Sequence, residues 1–161
     1  MIIESVLGNV KTCETQKEIV PVSFEWFELE KKRMKKTACD GLEFGLTVSD
    51  PFTEGDILAE TERSIYVVMV KPTELLKVNV SSMEEMGRAC FELGNRHLSP
   101  KISEDSVKVV YDEPTYLYME KLGFKVEKVT EKFTDYIVCK AHGQSHEHHH
   151  GSEHHGGHHE G

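Results

Sequence analysis

Apolar and polar positions alternate in short runs from residue 1 to about residue 70: Ile2 to Val6, Ile19 to Phe24, Cys39 to Val48, Ile57 to Glu60 and Ile65 to Val70. A two-residue period suits strands that bury one face. The runs are separated by Asp40-Gly41, Asp50-Pro51 and Glu54-Gly55-Asp56, all turn-forming combinations. This pattern predicts a small all-β domain over residues 1–72. The basic run Lys31-Lys32-Arg33-Met34-Lys35-Lys36 reads as a solvated strand or turn within it.

Around Lys71-Pro72-Thr73 the character changes. A strand over Leu75 to Val80 leads to Ser82-Met83-Glu84-Glu85, whose Ser and Glu have capping-box spacing and start a helix. Met83, Met86, Ala89, Cys90 and Leu93 predict one buried helical stripe, and Gly94 is placed to close the helix in the left-handed conformation. Strands are expected over Leu98 to Ile102 and Val107 to Tyr111, on either side of a polar turn at Ser103-Glu104-Asp105. Asp112 and Glu113 can cap a second helix, Pro114 suits its first turn, and Gly123 can end it. With a last extended stretch from Phe124 to Val138, residues 73–140 have the order β-α-β-β-α-β, the split βαβ of ferredoxin-like domains. The predicted fold class is therefore α+β.

Residues 141–161 carry no apolar residue able to anchor them, and disorder is expected there when no metal is bound. Of the ten histidines in the 161 residues, nine lie here: His142, His146, His148, His149, His150, His154, His155, His158 and His159. The formal net charge of −9 opposes long-range attraction to phosphates, so nucleic acid is set aside as a partner. Protonating all ten histidines would move that charge towards +1, which makes the protein sensitive to pH near 6. The N-terminal Met-Ile-Ile-Glu start has no apolar run suited to a signal peptide or membrane span, and a cytoplasmic location is expected. Cys13, Cys39, Cys90 and Cys139 form no C-x-x-C pair and are expected to be free thiols.

Neutral imidazole is a good ligand for nickel, copper and zinc, so the histidine-rich segment is a metal-binding signal. It carries no selectivity of its own, because a flexible chain imposes no geometry and copper outranks nickel and zinc in intrinsic affinity. An affinity tag is the bland alternative, but Gly, Ser and Glu interrupt the histidines throughout. His146-Glu147-His148-His149-His150 matches H-E-x-x-H, although that protease chemistry requires a rigid helix with a docked face, and Gly143, Gly151, Gly156 and Gly157 surround the match. His97 stands apart from the other nine, just beyond the first helix. Taken alone, it reads as structural, or as a stabilising group at the negative helix end.

Gly94-Asn95-Arg96-His97 at a helix end, with an acidic chain and a histidine-rich C-terminus, resembles the UreE urease accessory proteins, a family of nickel metallochaperones. The resemblance extends to the Met1–Asn9 start, to Gly55-Asp56-Ile57-Leu58 and to the two-domain order. It implies a peptide-binding-like β domain, a ferredoxin-like metal-binding domain, and a homodimer formed through the latter. It also implies that two copies of His97 meet at the dimer interface and share one nickel site, with His142 as the nearest ligand from the tail. Cys139 could add a thiolate, or could be a buried strand residue. Some members carry two further histidines before the second helix, where this chain has Tyr111-Asp112-Glu113, so Asp112 and Glu113 read as caps.

The resulting expectation is a non-enzymatic carrier with Ni(II) as cargo, Zn(II) and Cu(II) competing for the same sites, and His97 plus the nine tail histidines as ligands. The resemblance implies the urease apoprotein and its accessory GTPase as partners, and neither a membrane nor a nucleic acid is expected. Two alternatives are a nickel or zinc store without a dedicated recipient, in which His97 is incidental, and a zinc-dependent hydrolase, which would need an ordered tail.

Overall fold

The computed structural model describes residues 1–139. Its N-terminal half contains β1 (Ile2–Ile3), β2 (Gly8–Asn9), β3 (Glu18–Phe24), β4 (Arg33–Thr37), β5 (Glu43–Thr47), β6 (Asp56–Glu60) and β7 (Ser64–Val70). These strands form two sheets, ordered β1-β5-β4 and β2-β6-β7-β3. Alternation decides what each strand buries: Val20, Val22 and Phe24 of β3 and Phe44 and Leu46 of β5 enter one core with Ile3, Leu58 and Val68. Most of the expected runs survive with shifted ends. The basic run supplies β4, where Arg33 and Lys35 are exposed while Lys36 pairs with Glu28 at 2.8 Å and lies 4.9 Å from the Phe24 ring centroid.

The C-terminal half contains β8 (Pro72–Asn79), α1 (Met83–Asn95), β9 (Lys101–Ile102), β10 (Ser106–Val110), α2 (Glu113–Lys121) and β11 (Lys125–Lys132). The sheet order is β11-β8-β10-β9, with each neighbouring pair antiparallel. Val107 lies opposite Val78 and Val109 opposite Leu76, so these four share one face. Ala89 and Leu93 of α1 and Met119 of α2 bury against it in a single cluster. The whole is a mixed α+β chain, and among the described residues no helix is long and apolar enough to cross a membrane.

Several local expectations are corrected. Met83 is 90% exposed, because the buried stripe begins one turn later at Met86. The Ser82 side chain does accept from the Glu85 amide at 3.1 Å, but the Glu85 carboxylate returns to the Ser81 amide and hydroxyl rather than to the Ser82 amide. The strand expected over Leu98 to Ile102 shrinks to Lys101–Ile102, since Leu98 is tied to the helix end and Pro100 has no N–H to donate. β11 stops at Lys132, after which Phe133 turns fully into the interior. There it meets Trp26 at 5.5 Å between ring centroids and stacks on Tyr136 at 4.5 Å, while the Tyr136 hydroxyl donates to the Trp26 carbonyl at 3.2 Å. This aromatic group packs the end of the C-terminal half against the N-terminal one.

Candidate metal centre

The tetrapeptide Gly94-Asn95-Arg96-His97 forms the last turn of α1 and its exit. Gly94 is not the left-handed residue: the helix continues through Asn95, and His97 itself has φ 57°. The His97 amide donates to the Gly94 carbonyl at 3.0 Å and the Leu98 amide to the Leu93 carbonyl at 3.4 Å. Those two bonds make the paired closure of a Schellman motif, with His97 at the position usually filled by glycine. Leu98 packs on the cluster containing Leu93, which supplies the apolar contact typical of this ending.

His97 is exposed, at the end of the helix where unsatisfied carbonyls favour a cation. A borderline-soft nitrogen donor presented there suits a divalent late transition metal. Among the described residues, no three His, Cys, Asp or Glu side chains gather closely enough to hold an ion.

Its neighbour Arg96 reaches across to the start of α2. The Arg96 Nε donates to Thr115 Oγ1 at 2.8 Å, and a terminal guanidinium nitrogen lies 3.8 Å from Asp112 Oδ2. Thr115, only 1% exposed, donates its hydroxyl to the same Asp112 oxygen at 2.6 Å, and its amide donates there at 3.1 Å. Asp112 is therefore the cap of α2, as its sequence position predicts. The Arg96 guanidinium carbon also sits 5.3 Å from the Tyr118 ring centroid, and the Tyr118 hydroxyl donates to Glu92 Oε2 at 2.8 Å. That bond to Glu92, followed by partial burial, raises the Tyr118 pKa.

Residues 137–139, the last described, return to this region. The Ile137 amide donates to the Pro100 carbonyl at 2.8 Å and the Cys139 amide to Ser99 Oγ at 3.0 Å. Cys139 is thus half-buried outside any strand and bonded to Ser99, two residues after His97. The histidines at 142, 146, 148, 149, 150, 154, 155, 158 and 159 lie outside the described residues. Periodicity gave no hint of the Arg96 and Ser99 contacts, because both cross between segments far apart in sequence.

Comparison with known proteins gives one consistent answer. The family model described as the UreE urease accessory protein, C-terminal domain, matches residues 73–161. A urease accessory protein UreE of Bifidobacterium longum subsp. infantis is 46% identical over 144 residues, which cover 88% of this chain and 65% of the relative. The UreE of Acetivibrio thermocellus is 35% identical over 93% of this chain and 100% of its own length. That of Halalkalibacterium halodurans is 31% identical over 91% of this chain and 100% of its own. The extent of these matches, over both halves of the fold and the helix end that presents His97, shows that the chain belongs to the UreE urease accessory protein family.

Proposed function

We propose that this protein is a nickel metallochaperone that acts in urease maturation, collecting Ni(II) and delivering it to the urease apoprotein with the accessory GTPase. The observation that carries this reading is His97, held in a left-handed turn at the cation-favouring end of α1. One imidazole is a weak site. In the proposed homodimer, formed through a ferredoxin-like domain spanning residues 73–140, a second copy of His97 meets the first across the two-fold axis and gives a shared site. Exposed Ile102, Ile137 and Val138 offer apolar area for that contact near the same loop.

Further donors come from the histidine-rich residues 141–161, and the path to them is short. Cys139 is tied to Ser99, and His142 follows three residues later, a span of up to about 10 Å in an extended chain. The sheet order β11-β8-β10-β9 with two crossover helices supports the ferredoxin-like assignment, and residues 1–72 form the β domain beside it. The cargo is Ni(II); Zn(II) and Cu(II) compete for the same nitrogens. Exchangeable imidazole ligation suits transfer better than catalysis, and the protein works in the cytoplasm.

Isothermal titration with Ni(II) tests the reading on the full chain and on His97→Ala. The variant is expected to lose the tightest site, keep the weaker tail sites, and activate urease poorly in a reconstituted assay. A His97→Ala protein that retains both the tight site and full urease activation would instead favour a simple metal store.

A further inference from the structure

We propose that Arg96 is the positioning residue for the metal-presenting turn: it clamps the last turn of α1 to the first turn of α2 and so fixes the backbone from which His97 is offered. The proposal rests on the reading of His97 as a nickel ligand and extends it to a residue that touches no metal.

A histidine at φ 57° sits in a conformation that L residues avoid, so something must over-determine the turn. The two closing hydrogen bonds are one part, and the longer of them, Leu98 to Leu93, is 3.4 Å. Arg96 supplies the other. Its planar fork has three simultaneous engagements on α2 and its cap: the Thr115 hydroxyl at 2.8 Å, the Asp112 carboxylate at 3.8 Å and the Tyr118 ring at 5.3 Å. Tyr118 then bonds back to Glu92 on α1, which closes a circuit between the two helices one residue before His97.

The circuit also answers an electrostatic problem. A guanidinium adjacent to the ligand would repel an incoming dication if it were free to turn towards it. Paired with Asp112 and laid over Tyr118, its charge is held against the start of α2. Lysine cannot reproduce this, because a point charge on a flexible stem lacks both the Nε donor and the flat face.

The test uses full-length protein with Arg96→Ala and Arg96→Lys, titrated with Ni(II) and followed by amide hydrogen exchange in the metal-free state. In Arg96→Ala the tightest nickel site should weaken by about tenfold or more, as losing a supporting partner of a ligand does. Tail stoichiometry should be unchanged, and the His97 and Leu98 amides should lose protection while the interior of α1 keeps it. Arg96→Lys, which retains charge and stem and guards against a simple folding failure, should not rescue either readout. Unchanged affinity with unchanged His97 and Leu98 protection, or full rescue by Arg96→Lys, overturns the proposal. Lost protection in Arg96→Ala with nickel affinity intact in both it and His97→Ala would leave the clamp standing and remove the nickel role of His97 instead.

Discussion

His97 and Gly123 occupy the same position in two helix endings of one design. Each residue follows the C-cap, at φ 57° for His97 and 93° for Gly123, and each donates its amide to the carbonyl three residues back at 3.0 Å. The next residues, Leu98 and Phe124, donate to Leu93 and Met119 at 3.4 and 3.2 Å and pack on the same core cluster. At Gly123 the conformation is free of side-chain conflict, whereas at His97 an L residue takes the left-handed turn.

That contrast gives the first prediction. His97→Gly should relieve a left-handed strain of about 1–2 kcal/mol, partly offset by the greater unfolded-state freedom of glycine at about 0.5–1 kcal/mol. A net gain of roughly 0.5–1 kcal/mol is expected by urea denaturation, alongside loss of the tightest nickel site. A His97→Gly protein less stable than the parent would show that contacts of the His97 side chain in the metal-free fold outweigh its backbone strain.

Removing residues 143–161 separates capacity from affinity. The truncated chain keeps His97 and His142 but loses eight of the ten histidines, so the number of Ni(II) ions bound should fall while the tightest site remains. Native mass spectrometry of the full-length and truncated proteins reads both quantities. Equal stoichiometry in the two would place the capacity elsewhere.

The helices were legible in the sequence to the extent that their signals were local. Ser82 and Asp112 cap α1 and α2 as their spacing implies, and Gly123 closes α2. Gly94 stays helical for a physical reason: a glycine near a helix end can take the left-handed conformation at no cost, yet the turn that fits the core is set by where Leu93 and Leu98 can both pack on it. Strand lengths failed where tertiary contacts intervened, as at Phe133, whose burial against Trp26 outweighs continuation of β11. His97 was visible as a lone histidine in a motif, but its neighbours Thr115 and Tyr118 come from a helix about twenty residues on and leave no periodic trace.

Acid should remove the metal before it unfolds the protein. Among the described residues the folded state lowers the pKa of three carboxylates: Asp40 through the Leu42 amide and then the Tyr66 hydroxyl, Glu85 through the Ser81 amide and hydroxyl, and Glu28, where the upward push of burial is outweighed by Lys36 and the Glu25 backbone. A depressed folded pKa contributes stability that is present above the unfolded value and lost as pH falls through the folded one, so this loss begins below about pH 4. Imidazole takes up protons near pH ~6.5, and metal competes with them directly. Circular dichroism at pH 5 should therefore show a folded chain to which Ni(II) titration adds little. Equal nickel affinity at pH 5 and pH 7.5 would rule out histidine as the principal donor.

The N-terminal half of the fold should influence the site through Phe133. Phe133 is fully buried between Trp26 and Tyr136, and the chain then runs through Ile137 and Cys139, which bond to Pro100 and Ser99 beyond His97. Phe133→Ala removes the centre of this group and should destabilise the protein by about 3–5 kcal/mol. Phe133→Leu is the more useful variant, since it keeps a buried apolar side chain and should lose only the ring contacts, worth about 0.5–1.5 kcal/mol per pair. With the anchor loosened, the Ile137 and Cys139 amides should exchange faster while α1 and α2 stay protected. Cys139, from which residues 140–161 continue, would then be less closely held to the loop after His97, and the tightest nickel site should weaken without any ligand having been changed. Faster exchange at Ile137 and Cys139 with nickel affinity unaltered would show that the Ser99 and Pro100 bonds do not govern nickel binding.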